Sequence, residues 1–406
     1  MSTDNIVIVG GGQAGATLAQ ELRKLGFEGG LTIIGEEPQL PYRRPPLSKA
    51  YLAGEASEES LYVMKAPILE KNNVSFRGGV RATQIDRDNK TLTLDNGETL
   101  NWDKLALTTG GRARPLPVQG ADAQNVFELR SVADVDAIRP HCQAGKRAVI
   151  IGGGFIGLEV AAVARKLGVE VSVLEGLPRV LARVTAPQVS EFFETVHRDA
   201  GVDLRTGAAV TAIEGNPVSH VVLESGEKLA ADFVVVGIGL IPNTELASMA
   251  GLEVDNGIVV DAQARTSDPN VVAAGDCTNL PSAFYNRRIR LESVNNAMEQ
   301  ARTAAATLLG QDKTYDAVPW FWSDQYDLKL QMVGLSEGYD NTVLRGDPAT
   351  RSFSLFYLKD GVVIAADAVS QPKDFMAAKK LVAARAAPDP EALGNPDQAL
   401  ADLIPA

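Results

Sequence analysis

Cysteine is almost missing from this sequence: Cys142 and Cys277 are the only two in 406 residues. They lie far apart, and no Cys-x-x-Cys occurs. The chain therefore has no redox dithiol of that type and no cysteine set with iron–sulfur or zinc spacing. Histidine is nearly as scarce, with only His141, His197 and His220. His141 and Cys142 read as neighbours in a helix or loop, so no metal site is expected. No apolar run approaches the ~20 residues of a membrane span. A strand-like run begins already at Ile6, so no secretion signal and a cytoplasmic location are expected. Basic residues are also outnumbered, 39 against 51, for a net charge of −12. That balance disfavours nonspecific nucleic-acid binding. It leaves room for a local basic patch that steers an acidic protein. Arg43-Arg44, the trio Arg287, Arg288 and Arg290, and Lys379-Lys380 are the short clusters present; any one of them is more often a solvated face.

What the chain has in quantity is glycine, 37 residues, and two stretches of it stand out. Gly10-Gly11-Gly12-Gln13-Ala14-Gly15 follows the apolar run Ile6-Val7-Ile8-Val9. It opens a helical pattern with Ala16, Leu18, Ala19, Leu22 and Leu25 on one face. The next strand, Leu31 to Ile34, ends near Glu36. Gly152-Gly153-Gly154-Phe155-Ile156-Gly157 repeats the arrangement. It follows Ala148 to Ile151 and opens a helix with Leu158, Ala161, Ala162, Ala164 and Leu167. The following strand, Val169 to Leu174, ends at Glu175. Such glycines allow a tight strand-to-helix turn and let the backbone approach a pyrophosphate. The helix N-terminus adds free N–H groups and partial positive charge, and the acid takes ribose hydroxyls. A single copy could be a bare turn. Two copies, each with its acid, point to two dinucleotides held by one chain.

The remaining texture is α/β, and the length suits two or three domains. A proline-rich loop, Pro38 to Lys49, forbids a helix before Leu47. Val74 to Val80 and Lys90 to Leu94 read as strands, the latter leading into a turn at Asp95-Asn96-Gly97. Leu105 to Gly111 reads as a buried strand ending in a glycine turn. His220 to Leu229 reads as a hairpin around Ser225-Gly226, and Phe233 to Asn243 closes that region. Val271 to Asp276 is a buried strand with its aspartate at the C-terminal end, where open α/β sheets bind ligands. From Trp320 the texture becomes a small α+β domain, with strands at Lys329 to Val333, Thr342 to Leu344, Ser352 to Leu358 and Val362 to Val369. A helix follows at about Pro372 to Ala384. The proline- and acid-rich tail from Ala386 is expected to pack loosely. The fold expected is therefore two Rossmann-like dinucleotide-binding domains, for FAD and NAD, plus a small α+β C-terminal domain. The boundaries are 1–113 with 243–319, 114–242, and 320–406.

Both fingerprints, the loop Arg44-Pro45-Pro46-Leu47-Ser48-Lys49, the segment Gly237 to Asn243, and Gly275-Asp276 resemble the two-dinucleotide flavoprotein disulfide reductase superfamily. With Trp320-Phe321-Trp322-Ser323-Asp324-Gln325, the chain more narrowly resembles the FAD-dependent, NADH-dependent ferredoxin reductases. Those flavoproteins serve cytochrome P450s and Rieske-type oxygenases. The resemblance implies FAD at the first fingerprint, with Gly10, Gly12, Ala14, Gly15 and Glu36 at its adenosine and pyrophosphate portion and Val80 by the adenine. Arg44, Pro46, Lys49, Arg130, Asp276, Val294 and Trp322 are the other implied FAD-binding residues, Asp276 at a ribityl hydroxyl and Trp322 near the ring. It implies NADH at the second, with Gly152, Gly154, Ile156, Gly157, Glu159, Glu175, Arg183 and Gly239. Trp320 is left between a core aromatic and a flavin neighbour.

The resemblance also pairs Lys49 with Glu159 as catalytic residues beside the reacting rings. A buried lone charge is costly and a pair removes most of that cost; Glu159 could otherwise simply favour the helix N-terminus. The superfamily's disulfide falls where Arg43 to Ser48 stand here, and no cysteine occupies it. Electrons are then expected to leave the flavin singly for an acidic 2Fe-2S ferredoxin, a transient partner of a monomer. Arg287, Arg288 and Arg290 are candidate docking residues, with Lys329 and Lys373 possible. A rubredoxin or monodehydroascorbate reductase, or a redox-signalling flavoprotein like the apoptosis-inducing factor, are the alternatives.

Overall fold

The computed structural model describes residues 4–405. The chain forms two compact units. One holds the chain up to Arg43, Glu58–Arg112 and Leu240–Pro319; the other holds Arg44–Ser57, Ala113–Gly239 and the chain from Trp320 on. Within the second unit, Arg44 Nη1 donates to the Arg130 carbonyl, and the Tyr51 hydroxyl donates to Asp136 at 3.0 Å.

The first unit is built on a parallel sheet in the order Val271–Ala273, Lys104–Leu107, Asn5–Val9, Gly30–Gly35, Ser75–Gly78. Its central strands are continuous apolar runs because both faces are covered. On one face lies the first fingerprint helix, Gln13–Lys24, whose Ala16, Leu18, Ala19 and Leu22 are buried. It packs against helix Val294–Leu308, whose Ala297, Ala301, Ala304 and Ala305 let the two axes come close. A three-stranded antiparallel sheet, Ala82–Asp86, Thr91–Leu94 and Thr99–Asn101, belongs to the same unit. Its turn is the expected one: Gly97 has φ +83° and donates to the Leu94 carbonyl.

In the second unit, a parallel sheet repeats the plan in the order Asp203–Thr206, Glu170–Glu175, Arg147–Ile151, Phe233–Val236, Val126–Glu128. The second fingerprint helix is Phe155–Lys166. The C-terminal sheet is antiparallel, in the order Trp320–Gln325, Leu328–Gly334, Val362–Val369, Ser352–Lys359, Asn341–Asp347. Strand Ser352–Lys359 is buried on both faces from Phe353 to Leu358. Helix Pro372–Ala383 packs on this sheet, and Phe353 meets Phe192 of helix Pro187–Asp199 edge-on, 5.0 Å between ring centres.

Two local expectations change. The proline loop contains one 3-10 turn, Pro45–Ser48, because proline fits the first turn of a helix. The tail from Ala386 is not loose: Ala386, Leu393 and Leu400 are buried. The buried Arg345 guanidinium requires acceptors. It donates to the carbonyls of Leu393, Asn395, Pro396 and Gln398 and pairs with Asp374 at 3.1 Å. Three apolar anchors hidden in a polar tail thus tie it down. Among the described residues no helix is long and apolar enough to cross a membrane.

Candidate functional site

The two fingerprints fold to the same geometry. A Cβ on Gly10 would lie 2.1 Å from the Thr108 carbonyl oxygen, and one on Gly152 would lie 2.4 Å from that of Gly237. Both glycines also have positive φ, +121° and +114°, so a side chain is barred twice over. Gly12 and Gly154 differ: a Cβ there meets nothing within 4 Å. Each is the N-cap of its helix, and neither helix is capped by a side chain. Each helix thus offers uncapped N–H groups and the positive end of its dipole to an open space, as a bound pyrophosphate requires. The residues present fit a dinucleotide at both sites.

Within the first unit, parallel pairing puts the Gly10 to Gly15 loop, Glu36 and Asp276 at the C-terminal ends of their strands. Gly275 (φ +92°) lets the backbone pass close to the fingerprint helix, since a Cβ there would come within 3.2 Å of Ala14 Cβ. Asp276 follows directly. Glu36 is 71% exposed with Arg81 at 4.0 Å. The Val80 N–H donates to the Gly35 carbonyl at 3.1 Å, fixing Val80 beside the strand end. Val294 is the first residue of helix Val294–Leu308.

Glu175, in the second unit, turns back onto its own loop. Oε2 accepts from the Gly153 N–H and Oε1 from the Leu177 N–H, both at 2.7 Å. Arg183 is exposed in the loop that follows. Arg179, which the sequence did not single out, clamps that loop by donating to Ala182 O, Thr185 O and Ser190 Oγ. Ile156 is half-exposed in the first turn of its helix, Gly157 is buried there, and Gly239 has φ +116°. Arg130 follows Leu129 into a capping box at Ser131. The Pro46 carbonyl accepts from the N–H groups of Lys49 and Tyr51. Trp322 is half-buried, 5.6 Å from Trp320 between ring centres; Trp320 itself meets Phe375 edge-on and carries Lys379 Nζ over its face.

Lys49 and Glu159 meet. Lys49 Nζ lies 2.7 Å from Glu159 Oε2, with the two side chains 18% and 3% exposed. Two hydroxyls complete the carboxylate's surroundings: Ser48 Oγ donates to Oε2 at 2.5 Å, and Ser323 Oγ to Oε1 at 2.6 Å. Neither serine stood out in sequence, although each lies in a segment that did. Alternation along Trp320–Gln325 explains the second: Phe321, Ser323 and Gln325 share one face, and Trp320, Trp322 and Asp324 the other. Phe155 and Glu159 share a helix face one turn apart. Phe321 accordingly stacks on Phe155 at 4.9 Å, and Ser323 reaches Glu159.

The thiols are placed for no exchange chemistry. Both are unpaired and buried. Burial pushes Cys142 up to about 11, and burial also raises Cys277 above its ordinary value. A protonated, inaccessible thiol is neither nucleophile nor relay. The basic trio is held in different ways. Arg288 donates to Val260 O, Asn279 O and Asn279 Oδ1, while Arg290 is largely buried against Glu292 at 2.6 Å. Arg288 is exposed all the same, and its bonds brace the segment Arg287–Ile289. Arg287 and Lys373 are exposed, and Lys329 lies 3.7 Å from Asp324.

A family model described as pyridine nucleotide-disulphide oxidoreductase matches residues 4–301, and one described as reductase C-terminal matches residues 320–404. The chain belongs to the pyridine nucleotide-disulphide oxidoreductase family. Within that family it is 48% identical to putidaredoxin reductase of Pseudomonas putida, over 100% of this chain and 98% of that protein. It is 45% identical to a ferredoxin–NAD(P)(+) reductase of a Sphingomonas species, over 95% and 94%. Among solved structures, that of a covalent putidaredoxin reductase–putidaredoxin complex matches with a TM-score of 0.97 and 47% identity, covering 100% of this chain and 99% of that one. This member of the family keeps both dinucleotide cradles and lacks the thiol pair that part of the family name describes.

Proposed function

We propose that this protein is a ferredoxin–NAD(+) reductase: it takes electrons from NADH through FAD and passes them singly to a 2Fe-2S ferredoxin. That ferredoxin feeds a cytochrome P450 or Rieske-type oxygenase, and the reductase acts in the cytoplasm as a monomer. The observation that carries the proposal is a pair of matching dinucleotide cradles in a chain whose two thiols are buried and protonated. With no thiol to accept them, electrons have a direct exit to another protein. Bound FAD supplies the chemistry that couples a two-electron hydride donor to a one-electron acceptor.

The chain's own residues bind, orient and hold charge. Gly10, Gly12, Ala14, Gly15, Glu36, Val80, Asp276 and Val294 hold FAD, together with Arg44, Pro46, Lys49, Arg130 and Trp322. Gly152, Gly154, Ile156, Gly157, Arg183 and Gly239 hold NADH. Lys49 and Glu159 order the charge at the hydride step. The domains are 1–113 with 243–319 for FAD, 114–242 for NAD, and 320–406 at the C-terminus.

Glu175 selects the coenzyme. Its carboxylate accepts from ribose hydroxyls, whereas a 2′-phosphate meets its negative charge. Each charge-assisted bond to a hydroxyl is worth about 1.5–3 kcal/mol, so kcat/KM should favour NADH over NADPH by about 10²-fold. Glu175→Ala should shrink the ratio, and a wild-type preference for NADPH would overturn the assignment. The activity itself is tested by NADH-driven reduction of cytochrome c with and without a 2Fe-2S ferredoxin. Turnover should depend on the ferredoxin and slow as salt screens the acidic partner's approach. Equal turnover without any ferredoxin would sink the proposal.

A further inference from the structure

Behind the Lys49–Glu159 pair a line of buried polar groups runs through the second unit. Ser323 Oγ lies 2.6 Å from Glu159 Oε1 and 3.2 Å from Gln325 Nε2. Gln325 Oε1 lies 2.9 Å from His197 Nε2, and His197 Nδ1 lies 3.2 Å from the Tyr326 hydroxyl. Ser323, Gln325 and His197 are all at most 1% exposed. Polar groups this deep need partners, and here each partner's role follows from the one before.

The carboxylate fixes the direction. It can only accept, so the Ser323 hydroxyl must donate to it. The serine oxygen is then left to accept from the Gln325 amide N–H. That sets the amide, whose carbonyl oxygen faces His197 and can only accept. His197 Nε2 must therefore carry a proton. Burial holds the imidazole below its ordinary pKa, so the ring is neutral at pH 7 and Nδ1 is the acceptor for Tyr326. Every hydrogen in the line points toward Glu159. Bonds aligned this way polarise one another and strengthen toward the charge.

We propose that His197, Gln325 and Ser323 form a one-directional hydrogen-bond relay that holds the Glu159 carboxylate in place against Lys49. His197 is then a positioning residue for the hydride step although three hydrogen bonds separate it from the carboxylate. The relay joins three elements at one carboxylate: helix Pro187–Asp199, strand Trp320–Gln325 and the second fingerprint helix. It rests on the proposed role of Glu159 in flavin reduction. A histidine that merely fills the core would satisfy its own ring and transmit nothing.

With only three histidines in the chain, nitrogen-15 NMR of the histidine-labelled, FAD-bound enzyme can resolve His197, identified by its loss in His197→Asn. The relay predicts a neutral Nε2–H ring at pH 7 and above, and a shift of that ring's nitrogens in Glu159→Gln, where the end group no longer has to accept. An Nδ1–H ring, or a signal indifferent to Glu159→Gln, overturns it. By stopped flow, Gln325→Leu should lower the limiting rate of flavin reduction about tenfold and change NAD+ affinity less than about twofold. Ser323→Ala combined with Gln325→Leu should be no slower than Ser323→Ala alone, as for residues acting in series. Additive losses, or an unchanged rate in Gln325→Leu, reject the positioning role. If Glu159→Gln and Lys49→Met also left the rate unchanged, the reading of the pair itself would fail as well, which separates the two.

Discussion

Replacing Lys49 with methionine is expected to slow flavin reduction by NADH at least about tenfold and to cost the folded enzyme about 3 kcal/mol. The methionine keeps an apolar stem of similar length and removes the ammonium. Glu159 is then a 3% exposed carboxylate with two serine hydroxyls and no positive charge. Removing one partner of a buried pair typically costs about 3–5 kcal/mol. The low end applies here because Lys49 is itself 18% exposed, so water can reach the gap, and because Ser48 and Ser323 still donate. Adding Glu159→Gln should restore most of the stability, since no unpaired charge remains, and restore none of the rate. That split separates a structural pair from one that serves the reaction. Stopped-flow flavin reduction at wild-type speed in Lys49→Met would remove the pair from the mechanism.

A second large effect is expected far from that pair, at Asp367. It is buried in strand Val362–Val369, where the Tyr357 hydroxyl donates to Oδ2 at 2.5 Å while accepting from the Ala186 N–H at 2.9 Å. Burial pushes its carboxyl up to about 7, with the tyrosine bond only partly opposing. In the unfolded chain the group returns to its ordinary 3.8. Between these values the folded state binds the extra proton, so stability falls as pH rises from about 4 to about 7. A gap of this size corresponds to about 4 kcal/mol once both states are ionised. Asp367→Asn keeps an acceptor for Tyr357 and cannot ionise. It should be near neutral in effect at pH ~4 and stabilising by about 4 kcal/mol at pH ~8. Denaturant unfolding at the two pH values measures this, and an effect of equal size at both would contradict the linkage.

Much of the architecture was legible because it is written in local pattern. The two glycine runs, the apolar strands before them and the acids after them lie within thirty-odd residues each, close enough for spacing alone to place strand, turn and helix. The Lys49–Glu159 meeting was legible only through resemblance, since the two residues are 110 positions apart and no periodicity joins them. Ser48, Ser323, Gln325 and His197 stayed hidden for the same reason. Each is an ordinary polar residue until folding sets it against a buried carboxylate. Composition misled at the tail, where Leu393 and Leu400 are buried among prolines and acids and Arg345 binds four of its carbonyls. It misled again at Arg290, whose charge in sequence suggested a surface and whose guanidinium is largely buried against Glu292. A charge count cannot distinguish a solvated arginine from one that staples a loop.

The central claim is that electrons enter as a pair from NADH and leave one at a time to an iron–sulfur protein, with no thiol between. Rapid mixing of the enzyme, reduced anaerobically by one equivalent of NADH, with excess oxidised 2Fe-2S ferredoxin tests it most directly. Two ferredoxins should be reduced per enzyme, and the same stoichiometry should hold after Cys142 and Cys277 are both replaced by serine. Failure to reduce ferredoxin, or loss of the transfer in the cysteine-free enzyme, would contradict it.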